Sequence, residues 1–334
     1  MRNVVAAGLT AGVFIAGLAV GALVLGQPED EEQVVTEPTT RKIALMAVEN
    51  IVQVAPDGAL YPGGMMYHAM TFNGTIPGPL ISVNKGDRVE ITLYNQGELV
   101  HSLNFHAAVG PSQVLSEAVA PGESKTWSFI AETPGAFMYH CDGDNLNGIW
   151  EHIATGMYGG IVVRSGEELP AKEFYVVFGE LYNTSGDGPF GGAAEETGSF
   201  DLDKFVANTP DLVLTNGMAY RYIPYFGSSG KIIFNNNAET FEVKAGELTR
   251  WYIVNAGPRG HVAFNFGSGM IDAVDGKPLR DETWSIPPGS ASVIETVFPE
   301  EGVYFGNDHD LGRLLSGAGF AVRASGNSTG SALE

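Results

Sequence analysis

The feature that most narrows what this chain can become is an internal repeat. Val83-x-x-Gly86-Asp87, followed by Asn95-x-Gly97-x-x-x-His101, recurs as Val243-x-x-Gly246-Glu247 and Asn255-x-Gly257-x-x-x-His261, every matched position displaced by the same interval. Further on, Pro121-Gly122 and Gly135-Ala-Phe-Met-Tyr-His140 are echoed by Pro288-Gly289 and Gly302-Val-Tyr-Phe-Gly-Asn-Asp-His309. Two copies of one domain account for this more simply than coincidence. Within the copies the hydrophobic period is that of strands. Val89, Ile91 and Leu93 alternate with Glu90, Thr92 and Tyr94, and Trp127 and Phe129 flank Ser128 in the same way. No stretch after residue 30 offers an amphipathic helix longer than about three turns, and Gly and Pro punctuate the chain at short intervals. The expectation is an all-β protein of two tandem β-sandwiches, residues 42–165 and 174–324, with few and short helices.

The one cysteine, Cys141, cannot form a disulfide within the chain, which leaves packing, nucleophilic chemistry or metal binding. His140 precedes it, His101 lies upstream, and His152 and Met157 follow. Two imidazoles, a thiolate and a thioether are the ligands of a trigonal His2Cys copper site with a weak axial Met. Zinc would gain little from the thioether and would close a tetrahedron with stronger ligands. For Cys141 or Met157 taken alone, core packing is the simpler reading. The second copy has no cysteine, so a thiolate-bound metal belongs to the first copy only.

Residues 4–25 carry no charge, follow Arg2 and precede the acidic run Glu29-Asp30-Glu31-Glu32. That is long enough to span a bilayer, so residues 1–27 are expected to act as a membrane anchor or a signal segment. The globular part would then stand outside the cell membrane or in a periplasm-like space. Residues 28–41 read as a flexible acidic tether and 325–334 as a flexible tail. The formal charge of −21 speaks against a nucleic-acid partner.

The stretches His68-Ala-Met-x-Phe-Asn-Gly-x-x-Pro-Gly-Pro-Leu80, His101-x-x-x-Phe-His106-Ala-Ala, Tyr139-His140-Cys141, His152-x-x-x-Gly-Met157, Asn255-Ala-Gly-Pro258, His261-Val and Asp308-His309 together resemble the two-domain copper nitrite reductases of the cupredoxin and multicopper oxidase superfamily. The resemblance covers nearly all of residues 42–324 and implies Greek-key cupredoxin-like sandwiches. It also implies two copper ions per subunit. His101, Cys141, His152 and Met157 would hold a type 1 copper. His106 and His140, with His309 from the neighbouring subunit of a homotrimer, would hold a type 2 copper. The implied activity is one-electron reduction of nitrite to nitric oxide, fed by an external donor such as a cupredoxin or cytochrome. His261 is implied as a proton donor beside the type 2 copper, and His68 is read as structural.

Three departures stand against the pattern. Asn104 occupies the position where the family carries a substrate-binding aspartate, and an amide cannot hold or release a proton near neutral pH. Ala263 replaces a bulky aliphatic residue, and the loop from Asp142 to Glu151 is longer than in the best-known members. These leave two alternatives open: oxidation or reduction of another small nitrogen or oxygen species such as nitric oxide, hydroxylamine or oxygen, and a membrane-tethered electron carrier. A laccase-type oxidase is disfavoured by count. Once His101 and His152 are used, only His68, His106, His140, His261 and His309 remain of the chain's seven histidines, too few for a trinuclear cluster.

Overall fold

The computed structural model describes residues 39–58, 61, 63–110, 114, 116–144, 147–184, 197–228, 231–234, 238–267 and 270–326. The apolar run 4–25, the acidic tether up to residue 38, most of the Gly-rich loop after Asn183 and the tail from residue 327 lie outside them. Among the described residues no helix is long and apolar enough to cross a membrane.

The first half contains β1 (Thr40–Ala55), β2 (Met65–Phe72), β3 (Ile81–Asn84), β4 (Arg88–Asn95), β5 (Asn104–Phe105), β6 (Ser124–Ile130), β7 (Gly135–His140), the hairpin β8 (Gly143–Asp144) and β9 (Asn147–Gly148), and β10 (Tyr158–Arg164). One sheet is ordered β2-β1-β4-β6 and the other β3-β10-β7-β5. The alternation read in the sequence does the packing. Val89, Ile91 and Leu93 are fully buried with Phe105, Trp127, Tyr139 and Ile161 in one core, while Glu90 and Thr92 stay at the surface side of β4.

The second half repeats the plan with β11 (Lys172–Leu181), β12 (Leu212–Thr215), β13 (Tyr225–Ser228), β14 (Lys231–Phe234), β15 (Thr240–Lys244), β16 (Leu248–Asn255), β17 (Val262–Asn265), β18 (Ile271–Val274), β19 (Lys277–Asp281), β20 (Thr283–Ile286), β21 (Ala291–Val297), β22 (Gly302–Asp308) and β23 (Gly319–Ser325). Its sheets run β12-β11-β16-β21-β18-β19 and β15-β23-β22-β17-β20. Trp251, stacked between Phe174 and Phe320, centres its core. The helices are short: α1 (Ile149–Ala154), α2 (Leu202–Ala207) and α3 (Leu311–Leu315).

The repeated residues have one structural job in both halves. Asn95 Nδ2 donates to the carbonyls of Leu99 and Val119, both at 2.8 Å, and its Oδ1 accepts from Gly97 N–H at 3.0 Å. Asn255 does the same to Gly260 and Ile286, at 2.8 and 2.9 Å, and accepts from Gly257 N–H at 3.1 Å. Gly122 and Gly289 donate their N–H groups to the carbonyls of Asn95 and Asn255, each at 2.9 Å. The amide side chain thus satisfies buried backbone groups of the turn that delivers His101 in one half and His261 in the other.

The halves meet through a seam of reciprocal tyrosines. A Cβ on Gly179 would overlap the Tyr158 hydroxyl, and one on Gly160 would overlap the Tyr175 hydroxyl. Tyr158 packs there with Met138, Val177 and Val254. We expect Gly179→Ala to overpack this seam and lower unfolding free energy by about 1–3 kcal/mol, measured by chemical denaturation. Gly58→Ala, at a position with no neighbouring atom within 4 Å, should leave it unchanged apart from small propensity effects.

Candidate metal centre

Cys141 follows β7 directly, and its N–H donates to the Met157 carbonyl at 3.1 Å, continuing the ladder in which His140 faces Tyr158 across to β10. Successive side chains on an extended segment point to opposite faces. Cys141 therefore enters the core of the first sandwich while His140 turns to the other side, and each meets its own pair of partners.

On the core side His101, Cys141 and His152 form one cluster, the only group of three or more metal-binding side chains among the described residues with ligand atoms all within 4.8 Å. Sγ lies 3.2 Å from His152 Nδ1 and 3.7 Å from His101 Nδ1, and the two Nδ1 atoms are 3.3 Å apart. His152 is carried by α1, which starts after Gly148 in a left-handed conformation (φ 92°). Met157, fully buried, follows α1 in the same core. Ser102 and Gly143 aim their N–H groups at Sγ at 3.2 and 3.3 Å. His101 presents its other nitrogen, Nε2, to Glu49 Oε1 at 2.7 Å. Glu49 also accepts from the N–H groups of Glu98 and Leu99. Such an outer carboxylate fixes the tautomer and leaves Nδ1 free to ligate.

The electrostatics are those of a site built for a cation. Burial pushes the Cys141 thiol up to about 11, against the two N–H groups that favour its thiolate. Burial, reinforced by the neighbouring His101, lowers His152 to about 4, and burial also lowers His101. Neutral imidazoles and a thiol that can ionise only with a positive charge beside it suit a soft or borderline metal ion, whose binding would release the thiol proton.

On the other side His106 and His140 face each other with Nε2 atoms 3.0 Å apart and rings nearly perpendicular. His140 Nδ1 is 2.9 Å from Asp142 Oδ1. Burial and the proximity of His140 lower His106, with a backbone hydrogen bond to Gly289 of the second sandwich and the charge of Asp142 acting in the opposite sense. Both rings thus have outer partners and converge through Nε2. Asn104, paired with His140 in the β5–β7 ladder, donates Nδ2 to Asp142 Oδ2 at 2.8 Å.

The remaining sites named from the sequence are not gathered with this pair. His309 and His261 are exposed on the second sandwich, and among the described residues no third metal-binding side chain joins His106 and His140. Both are nonetheless held by one buried network. Glu180 accepts from Gly260 N–H at 2.9 Å, just before His261, and pairs with Arg313, which donates Nε to Asp308 at 2.5 Å, just before His309. His309 N–H donates to the Ala263 carbonyl at 2.8 Å. His68 is exposed on β2. Sequence reasoning missed Glu49 and Asp142. The signal for Asp142 was available, since a charged residue directly after a buried ligand needs partners; Glu49 had none.

The multicopper oxidase family model matches residues 54–168. The chain is 35% identical over 263 residues to the copper-containing nitrite reductase of Neisseria gonorrhoeae, covering 76% of this chain and 62% of that protein. It therefore spans somewhat less than two thirds of the curated relative's length. Among solved structures, the copper nitrite reductase from Nitrosomonas europaea superposes with a TM-score of 0.73 at 30% identity, over 86% of this chain and 94% of that one. A copper-containing nitrite reductase from Thermus scotoductus gives 0.70 at 27% identity, over 89% and 64%.

The buried His152 generates a prediction for the metal-free protein. Unfolded, it takes up a proton near pH 6.5; folded, it resists until about pH 4. Its contribution to stability is present above the unfolded value and is lost as pH falls through that window. Between pH 7 and pH 5 the metal-free protein should lose about 2 kcal/mol, measured by denaturant titration, and His152→Gln should flatten that slope.

Proposed function

This chain belongs to the copper-containing nitrite reductase family, and on that premise we propose that it reduces nitrite by one electron to nitric oxide and water, consuming two protons. The observation that carries the reading is the pair of imidazole clusters set back to back across the single peptide between His140 and Cys141. The donor sets fit the metal: His101, Cys141, His152 and Met157 for a type 1 copper, His106 and His140 for a type 2 copper. When bound, the two ions supply one-electron redox chemistry and a Lewis-acid position for the substrate.

The residues around them do the rest. Cys141 and His140, covalently adjacent, give a short through-bond path between the sites. His106 and His140, held by Gly289 and Asp142, keep their Nε2 atoms convergent. Two ligands leave a type 2 site incomplete within one chain, and His309 is exposed and held by its own network. We assign it to the site of a neighbouring copy, in a homotrimer. His261, presented near His309 by the same network, is the group that supplies a proton, while Asn104 orients the substrate without exchanging one. The N-terminal apolar run supports an exported protein, tethered to the outer face of the membrane if that segment is retained, with an external redox protein as donor.

The test is anaerobic. Reduction of the copper-loaded protein should bleach a blue colour that is absent from Cys141→Ser, and nitrite should restore it with release of nitric oxide. His261→Ala should slow that step by about 10²–10⁴-fold while the blue colour is kept. Reduced protein that ignores nitrite but is reoxidised by oxygen, nitric oxide or hydroxylamine would replace the substrate. In solution the exported part should have the mass of three chains, and a stable monomer holding two copper ions would remove His309 from the site.

A further inference from the structure

The side chain at position 142 is unusual in its demands. Asp142 is fully buried, one residue after Cys141 and two after His140. Its Oδ1 has no hydrogen-bond partner among the described residues but lies 2.9 Å from His140 Nδ1, which also faces the Cys141 carbonyl at 3.3 Å. Its Oδ2 accepts from Asn104 Nδ2 at 2.8 Å and from the Ser116 hydroxyl, and Asn104 Nδ2 is also 3.2 Å from Ser116 Oγ. The Asp142 N–H donates to Ser102 Oγ at 2.9 Å, and Ser102 N–H in turn donates to Cys141 Sγ. A carboxylate oxygen can only accept, so the atom of residue 104 that meets it must be a donor. An aspartate at 104 would set two carboxylates within hydrogen-bonding distance, where they cannot both remain ionised. Asn104 is thus the side chain that a carboxylate at 142 requires.

We propose that Asp142 is the positioning residue of the second metal site: its buried carboxylate orients His140 toward His106 and fixes the amide of Asn104. Held at Nδ1, the His140 ring keeps its Nε2 lone pair on the metal side and becomes a stronger ligand, as carboxylate-supported histidines do. The inference rests on the reading of His106 and His140 as copper ligands.

The experiment compares the copper-loaded full chain with Asp142→Asn, Asp142→Glu, Asn104→Asp and the exchange variant Asn104→Asp/Asp142→Asn. Type 2 copper affinity is measured against a competing chelator, and the electron paramagnetic resonance signal of each copper is followed separately. Asp142→Asn should keep the blue type 1 signal, since the bonds to Ser102 and Sγ are made by the backbone, and should weaken type 2 binding by about 10- to 100-fold. Asn104→Asp alone should alter the type 2 signal, and the exchange variant, which restores the donor–acceptor match between 104 and 142 but leaves no carboxylate against His140 Nδ1, should bind type 2 copper as weakly as Asp142→Asn. Unchanged type 2 affinity in both Asp142→Asn and Asp142→Glu would overturn the proposal, as would loss of both copper signals together, which would mark a general packing role. A natural chain that binds only the blue copper would instead remove the ligand reading itself, and the positioning role with it.

Discussion

Everything distinctive about this protein hangs on the two-residue period of an extended strand. At the end of β7 that period sends His140 to one side and Cys141 to the other, and the ladder to β10 holds both in register through Tyr158 and Met157. No separate scaffold is needed for the second cluster. A one-residue slip would exchange the faces, placing an imidazole in the apolar core and the thiol among the polar residues around Asn104. Register is therefore enforced from both sides: by Phe72 and Ile161 against the core face of Tyr139 and Cys141, and by Asp142 and His106 around His140.

Around that strand, negative charge is used as a tool of orientation. Each cluster contains one histidine whose remote nitrogen faces a carboxylate, His101 bonded to Glu49 and His140 2.9 Å from Asp142. Burial opposes ionisation of both acids, and the hydrogen bonds they accept outweigh it, so both titrate below the ordinary carboxylate range. In the second sandwich Glu180 and Asp308, joined through Arg313, hold the backbone N–H groups of Gly260 and Ala263 on either side of His261, and Asp308 directly precedes His309. Two of the chain's carboxylates thus lie against ring nitrogens of clustered histidines, and two more hold the backbone beside exposed ones.

Much of this was legible in the residue order, and the exceptions have a common cause. The repeat foretold two sandwiches because Asn95 and Asn255, with their glycines, solve one turn problem twice. The ligand-type spacing of His101, Cys141, His152 and Met157 foretold a cluster because these residue types have few other reasons to share a buried core. His106 and His140 lie with their Nε2 atoms 3.0 Å apart. Glu49 could not be read, because it reaches His101 across a β1 register that no local pattern announces. Asp142 was passed over inside a loop noted only for its length. His309 is exposed and held through Asp308 and Arg313, and the part proposed for it lies with a neighbouring copy. The N-terminal run lies outside the described residues, and the export proposed for it is read from its composition.

The seam between the sandwiches has a mechanical meaning. With the Tyr158 hydroxyl seated over Gly179 and the Tyr175 hydroxyl over Gly160, sliding one sandwich along the other would drive a phenol into backbone. A hinge would have to pull both rings out of an apolar pocket at once. The two phenols thus oppose relative sliding of the halves, and with it any change in the separation between the cysteine cluster and the face that displays His261 and His309. A neighbouring copy of the kind proposed would have to match that spacing by shape.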